Sequence, residues 1–346
     1  MCGTYEAAKP PRLYRTYAPL PKRERGGEGK RGTADKQEQG MTQREYEVVD
    51  VFTSTRFGGN PLAVVLDGRG LDGALMQQIA AEFGFSETTF VLPPVDPQHT
   101  AQVRIFTPTS EVPFAGHPNV GTAYVLARRG EVFGRPVGAE MRFEEGAGIV
   151  GVRVLRTPER VAGAAITAPR ELELGPAVPA ELVAACASLA PADVSLATHP
   201  PQIASVGLPF VIAELASRDA LARARPDAAR FAEAQVALAI PEIAFSLFLY
   251  VAESGAANSY SARMFAPLDN VPEDPATGSA SAALGAFRAA LLPDPDAELA
   301  IAIAQGVDMG RPSAIRLQVR KAGGVVRQVV VAGECVPVMR GELVLE

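Results

Sequence analysis

The sequence predicts an α+β fold of two pseudo-symmetric halves, each a curved mixed β-sheet or barrel wrapped around a central helix. Three observations carry that prediction. The stretches Phe114-Ala115-Gly116-His117-Pro118-Asn119 and Asp274-Pro275-Ala276-Thr277-Gly278-Ser279 each read as a tight turn opening a helix, with small residues, Gly, Pro, Ser and Thr at the cap and first turn. Strand-like segments rich in β-branched and aromatic residues flank both turns. Short matches recur between the halves at a nearly constant spacing.

Element by element, residues 1–40 stand apart, with nine Lys/Arg against five Asp/Glu, many Gly and Pro and few apolar positions. This composition predicts an unstructured extension, and Met41 is a candidate start. Residues 46–53 and 62–66 read as strands joined by a turn at Phe57-Gly58-Gly59-Asn60-Pro61. Leu75, Ile79 and Phe83 give residues 71–83 helical periodicity, with Gly84 as a C-cap. Strands are expected at 86–92, 102–106, 140–143, 149–155 and 164–167, with the first glycine-turn helix between the second and third. The second half repeats the order: helix 181–189, strands 202–206 and 210–214, helices 218–223 and 226–239, strands 246–252 and 261–265, then the second glycine-turn helix. Strands at 299–304, 313–321, 325–331 and 341–345 close the chain. The units implied are an N-terminal half, 41–165, completed by a C-terminal strand within 335–346, and a C-terminal half, 166–334.

The repeat is explicit. Arg104-Ile105-Phe106-Thr107-Pro108 matches Arg263-Met264-Phe265-Ala266-Pro267 at a spacing of 159, the strands beginning at Ser86 and Ser246 match at 160, and Gly116 matches Gly278 at 162. The turn Gly59-Asn60-Pro61-Leu62 matches Gly207-Leu208-Pro209-Phe210 at 148. Two helix starts then face each other across a cleft. Each carries unpaired N–H groups and partial positive charge, so together they suit a small carboxylate-bearing molecule. On these matches Glu87 pairs with the apolar Leu247, leaving one carboxylate in one half only.

Composition excludes several classes. A net charge of −6 gives no electrostatic case for nucleic acid, and no apolar run approaches the length of a membrane span. The most apolar stretch, 240–251, is short and interrupted by Pro241, Glu242 and Ser246. Cys2, Cys186 and Cys335 fit no metal or redox spacing, and His99, His117 and His199 are too few and scattered for a multi-histidine metal site. The sparse cysteines suit a cytoplasmic protein.

Glu87 is the expected acid/base: a carboxyl in a closed apolar cleft should have a raised pKa and be able to take and return a proton. The competing reading is a surface residue on an edge strand. His117, in a first helical turn, should be neutral and able to donate or relay a proton, or merely cap the helix. Asp274 reads as a catalytic partner, as a helix N-cap, or both. Asn60, Gly116, Pro118, Gly278, Ser279 and Ala280 are the candidate substrate-binding positions, although Asn60 also suits a plain turn and Ser279 a plain first-turn residue. His99 and His199, among prolines, read as solvated, and Asp269 and Glu273 as a polar surface loop.

The motifs Phe57-x-Gly59-Asn60-Pro61-Leu62-Ala63-Val64, Ser86-Glu87-Thr88-Thr89-Phe90, Arg104-Ile105-Phe106-Thr107-Pro108, Pro113-Phe114-Ala115-Gly116-His117-Pro118, Glu273-Asp274-Pro275-Ala276-Thr277-Gly278-Ser279-Ala280 and Gln305-Gly306-x-x-Met309-Gly310-Arg311-Pro312-Ser313 resemble, in order, those of the phenazine-biosynthesis PhzF-like isomerase family. The resemblance covers roughly residues 46–346. It implies a diaminopimelate-epimerase-like fold, no cofactor, no metal and a homodimer. It implies Glu87 as catalytic acid/base with His117, Asp274 and Ser279 as partners. Gly116 and Gly278 resemble the positions where epimerase and proline-racemase relatives carry a cysteine pair, so thiol-based racemisation is not expected. The implied activity is proton migration between carbons of a small carboxylate-bearing substrate. The alternatives are a one-centre epimerase or racemase using Asp274 or His117 as second base, and a non-catalytic small-molecule-binding protein.

Overall fold

The computed structural model describes residues 42–238 and 245–345. The extension expected over 1–40 and the interruption of the apolar run at Pro241 and Glu242 lie outside the described residues.

The first half contains β1 (Thr42–Val51), β2 (Asn60–Val65), α1 (Gly73–Phe83), β3 (Glu87–Leu92), β4 (Ala101–Phe106), β5 (Glu111–Val112), α2 (Gly116–Arg129), a small hairpin of β6 (Glu131–Val132) and β7 (Arg135–Pro136), β8 (Glu140–Glu145), β9 (Gly148–Arg156) and β10 (Val161–Thr167). The second contains β11 (Glu173–Ala177), α3 (Ala180–Cys186), β12 (Gln202–Ser205), β13 (Pro209–Glu214), α4 (Arg218–Arg223), α5 (Ala228–Ala237), β14 (Leu247–Ala252), β15 (Ser259–Ala266), β16 (Val271–Asp274), α6 (Gly278–Ala290), β17 (Ala297–Gln305), β18 (Ser313–Ala322) and β19 (Val325–Leu345).

The pairing shows the duplication directly. β1-β2-β3-β4-β8-β9-β10 are joined in the senses antiparallel, parallel, antiparallel, parallel, antiparallel, antiparallel, and β12-β13-β14-β15-β17-β18-β19 repeat those senses in the same order. In the first half the ring closes into an eight-stranded barrel, because β19 pairs with both β10 and β1. The strand series of the second half joins this barrel in one continuous sheet through β19.

Residues expected as two strands, 325–331 and 341–345, are thus one long strand. It pairs with β18, crosses β10, and continues beside β1 from Cys335 to Leu345. Pro337 does not break it, because it lies at the register shift beside Val49, where a missing N–H costs least. Gly333 lets it pass over Phe52, whose ring would lie 2.1 Å from an added Cβ.

The barrel encloses α2, and the matching sheet of the second half wraps α6, which packs on β12, β13, β17, β18 and β19. Ala280, Ala282, Ala283, Leu284, Ala286 and Phe287 of α6 are all buried, as are Val120, Ala123, Tyr124, Val125 and Leu126 of α2. A helix apolar on most faces is stable only when surrounded in this way. One apolar core runs through both halves, a second lies between the α3–α5 layer and β13–β15, and a third lies under α1. α1 is capped as its sequence requires, Asp72 accepting from the Leu75 N–H at 2.9 Å and Gly84 closing the end at φ 64°.

The register corrects one expected correspondence. Arg104 faces Phe90 and Arg263 faces Leu249, so the strands repeat at 159 and the counterpart of Glu87 is Ser246, not Leu247. The asymmetry survives, with a carboxyl in one half and a hydroxyl in the other. The two arginines keep equivalent partners: Arg104 is forked onto Glu111, Arg263 onto Glu273, each through two bonds of 2.7 Å. Glu273 is therefore not a surface-loop residue. It neutralises a buried Arg263 whose guanidinium also donates to the carbonyls of Leu221, Ala222 and Ala224.

The histidine expectations also change. His199 is buried, its Nδ1 2.7 Å from the Pro200 carbonyl and its Nε2 2.7 Å from the Tyr250 hydroxyl, with Phe287 edge-on to the ring. His99 is half-buried against Glu144 at 2.8 Å. The prolines near both residues shape packed turns rather than solvated ones. No helix of the described residues is long and apolar enough to cross a membrane.

Candidate active site

The cleft is built where α2 and α6 begin. The two starts are in backbone contact: a Cβ on Gly116 would lie 3.1 Å from the Ser279 nitrogen and 3.2 Å from the Gly278 Cα. A side chain at 116 would force the starts apart, so glycine is what allows this approach. A Cβ on Gly278 would lie 3.2 Å from the Phe52 ring. Neither position has room for the thiol pair implied for the epimerase relatives.

Asn60, at the start of β2, ties the starts together. Its Nδ2 donates to Asp274 Oδ1 at 2.7 Å and to the Ala276 carbonyl at 3.0 Å, and lies 3.3 Å from His117 Nδ1. It is fully buried. Asn60 therefore works by joining the two halves, a role its position in a turn motif did not reveal, because its partner Asp274 lies 214 residues away.

Asp274 ends β16 and is not the helix cap, a position held by Thr277. Its Oδ1 also accepts from Ser86 Oγ at 3.0 Å, and its Oδ2 from Thr277 Oγ1 at 2.5 Å. Burial pushes its carboxyl up to about 6, against the opposing pull of the Thr277, Ser86 and Asn60 bonds. With both oxygens engaged, Asp274 orients its neighbours.

Glu87 opens β3 opposite Leu62, its side chain 19% exposed and its Oε2 enclosed without a hydrogen-bond partner. It lies 3.5 Å from His117 Nε2, which is likewise enclosed and unpartnered. Burial first, then the charges of Asp274 and Asp269, push the Glu87 carboxyl well above its ordinary range. Asp269 sits on an exposed turn, as expected, yet its charge reaches the cleft.

His117 is the second residue of α2, and burial lowers its pKa to about 3, so the ring is neutral. Because the Asn60 amide faces Nδ1, the ring proton belongs on Nε2, the nitrogen aimed at Glu87. Two complementary groups thus face one another with no partner of their own, as a site for a reacting proton requires.

Gly116, Pro118, Gly278 and Ala280 are buried in the two first turns and Ser279 is half-buried. Pro118 has no N–H to offer. Gly116, Gly278 and Ser279 open onto a narrow apolar pocket walled by Phe114, Val206 and Leu208. Its volume is about 10 Å³, comparable to that of one water. Among the described residues no group of three or more His, Cys, Asp and Glu could hold a metal ion.

The chain is similar to known proteins in sequence and fold. The model of the PhzC-PhzF family, phenazine biosynthesis-like proteins, matches residues 49–341. An uncharacterized isomerase from Mesorhizobium japonicum is 39% identical over 88% of this chain and 99% of its own length. A trans-2,3-dihydro-3-hydroxyanthranilate isomerase from Pseudomonas aeruginosa is 34% identical over 83% and 95%. The crystal structure of a PhzF-family phenazine biosynthesis protein from Bacillus anthracis covers 88% of this chain and 100% of its own at a TM-score of 0.75 and 26% identity. The mixed α+β architecture is thus shared over most of the chain, and the protein belongs to the phenazine biosynthesis-like PhzC-PhzF family and is an isomerase.

Proposed function

We propose that this isomerase moves a proton between two carbons of a small carboxylate-bearing substrate, with Glu87 as acid and base and without help from a cofactor. The observation that carries the reading is the facing pair, Glu87 Oε2 and His117 Nε2, enclosed and otherwise unpartnered between the two helix starts.

Ionised Glu87 takes a proton from an activated carbon, the double bond shifts, and the protonated carboxyl returns that proton to another carbon. Its raised pKa brings the acid and base forms closer in energy near neutrality. The neutral His117 ring donates from Nε2 to charge developing on the substrate. The Gly116, Gly278 and Ser279 N–H groups, at the positive ends of α2 and α6, suit the carboxylate and the anionic intermediate. The enclosure of Glu87 Oε2 and His117 Nε2 limits exchange of the abstracted proton with water.

Epimerisation at one carbon would need a second base facing Glu87. Asp274 is engaged by Asn60, Ser86 and Thr277, His117 stands on the Glu87 side, and positions 116 and 278 are glycines. By analogy with the Pseudomonas relative, trans-2,3-dihydro-3-hydroxyanthranilate is the first substrate to test. Glu87→Gln is expected to lower turnover by roughly 10²–10⁴-fold while a carboxylate ligand still binds. Wild-type turnover by this variant would refute the assignment.

A further inference from the structure

The halves repeat the device that holds each helix start, and they differ in it by one functional group. β17 ends at Gln305, whose Oε1 accepts from the Thr277 N–H at 3.0 Å and whose Nε2 donates to the Asp274 carbonyl at 2.8 Å and to Thr277 Oγ1 at 3.0 Å. This amide fastens the turn before α6. The next residue, Gly306, presses on Pro275: an added Cβ would lie 2.6 Å from its carbonyl oxygen and 3.2 Å from its Cα.

In the first half β8 ends at Glu145. Phe143 faces Ala101 as Ile303 faces Tyr260, so Glu145 occupies the place of Gln305. Gly146 presses on Pro113 as Gly306 presses on Pro275, with an added Cβ 3.0 Å from the Pro113 Cα. Both Glu145 carboxyl oxygens are enclosed and make no hydrogen bond of good geometry, and the same holds for Oδ1 of Asn119, whose side chain lies close enough to the carboxyl to act on it. Asn119 Nδ2 donates to the carbonyl of Ala115, the residue that caps α2.

A carboxamide supplies both a donor and an acceptor here; an ionised carboxylate supplies only acceptors, whereas a protonated one regains the donor. Asn119 Oδ1 needs a donor, so the neutral acid is the form this place accommodates. Burial favours the same form and pushes Glu145 well above the ordinary carboxylate range, against the smaller opposing pull of the Asn119 side chain.

We infer that Glu145 is a positioning residue: as a neutral carboxylic acid it holds the turn before α2 as the Gln305 amide holds the turn before α6, and so sets His117 and the Gly116 N–H for reaction. The effect on turnover rests on the proton-transfer reading above; the neutral acid and the placement of His117 do not.

The test uses the full chain with Glu145→Gln and Glu145→Leu. At pH 7 the infrared spectrum of the wild type minus Glu145→Gln should contain a protonated-carboxyl band, and a carboxylate band alone overturns the inference. The chain has three histidines, so the His117 ring nitrogens can be assigned by NMR. Glu145→Gln should leave their signals unchanged and keep kcat for trans-2,3-dihydro-3-hydroxyanthranilate within about twofold, whereas Glu145→Leu should shift them and lower kcat roughly tenfold or more with KM little altered. His117 signals and kcat unchanged in Glu145→Leu would overturn the inference, as would a folded Glu145→Gln with shifted signals. If Glu145→Leu does not fold, the Glu145→Gln spectra decide alone. If the wild type does not convert this compound, the substrate reading fails, while the infrared and ring signals still test Glu145.

Discussion

At the scale of single residues the site is a set of unlike groups made to depend on one another. Glu87 and His117 were legible because each broke the repeat: a carboxyl in a strand whose partner has none, and an imidazole where the partner has Ser279. The work of Asn60 and the engagement of Asp274 were not legible, because those bonds join positions brought together only by folding. Asn60→Ala should destabilise the protein by about 1–3 kcal/mol, the cost of stripping a donor from a buried carboxylate, and should lower kcat more than it raises KM, since His117 loses the contact that fixes its tautomer. Thermal unfolding and steady-state kinetics would check both.

The Glu87 carboxyl also gives a pH signature. Its folded pKa lies above the reference value of 4.5, so its favourable contribution is complete below that pH and is lost as pH rises toward the folded pKa. Wild type should therefore lose stability relative to Glu87→Gln as pH increases above about 4.5. Melting curves of the two proteins at pH 4 to 8 measure the difference; a wild type that gains stability relative to Glu87→Gln as pH rises would contradict the desolvated placement of this group.

At the scale of elements the local rules carried most of the chain. α1 has its Asp72 cap and Gly84 stop, and α6 has an all-round apolar surface that only a surrounding sheet can satisfy. Register was out of reach, because apolar strands such as 246–252 fit their neighbours equally well when slid by one residue. That is why Leu247 stood where Ser246 belongs. Glu145 was missed for a related reason, although a signal existed: the pair Glu145-Gly146 repeats Gln305-Gly306 at a spacing of 160, within one residue of that of the strands. The approach of the two helix starts is the element-level feature most open to attack. Gly116→Ala should cost about 1–3 kcal/mol through overpacking against Gly278 and Ser279, visible as a lower Tm and weaker binding of carboxylates. An alanine accepted with no change in either would mean the starts are not pressed together.

At the scale of the whole molecule, duplication yields a cleft because the halves are fastened across it. Arg311, on the hairpin joining β17 to β18, donates to Asp50 Oδ1 at 2.6 Å and to the carbonyls of Gly58 and Gly59 at 2.9 Å. Asp50 is buried, and desolvation raises its pKa even with Arg311 beside it. Arg311→Ala should therefore cost roughly 2–3 kcal/mol, below the figure for a fully enclosed pair because the Arg311 side chain is 30% exposed. Denaturant unfolding would measure it. Two similar halves were readable from repeated motifs; that β19 serves both, closing the barrel of the first half after leaving β18 of the second, was not, because its break at Gly333 and Pro337 resembles two strand ends. The central claim is that a single carboxyl carries a proton from one carbon to another within the closed cleft. The most direct measurement is to incubate wild type and Glu87→Gln with trans-2,3-dihydro-3-hydroxyanthranilate and related unsaturated carboxylates in heavy water and follow each carbon position by NMR. The account predicts a shifted double bond with hydrogen delivered to a new carbon by the wild type, and untouched substrate with the variant. Equal conversion by both proteins, or exchange with inversion at one carbon and no bond shift, would contradict it.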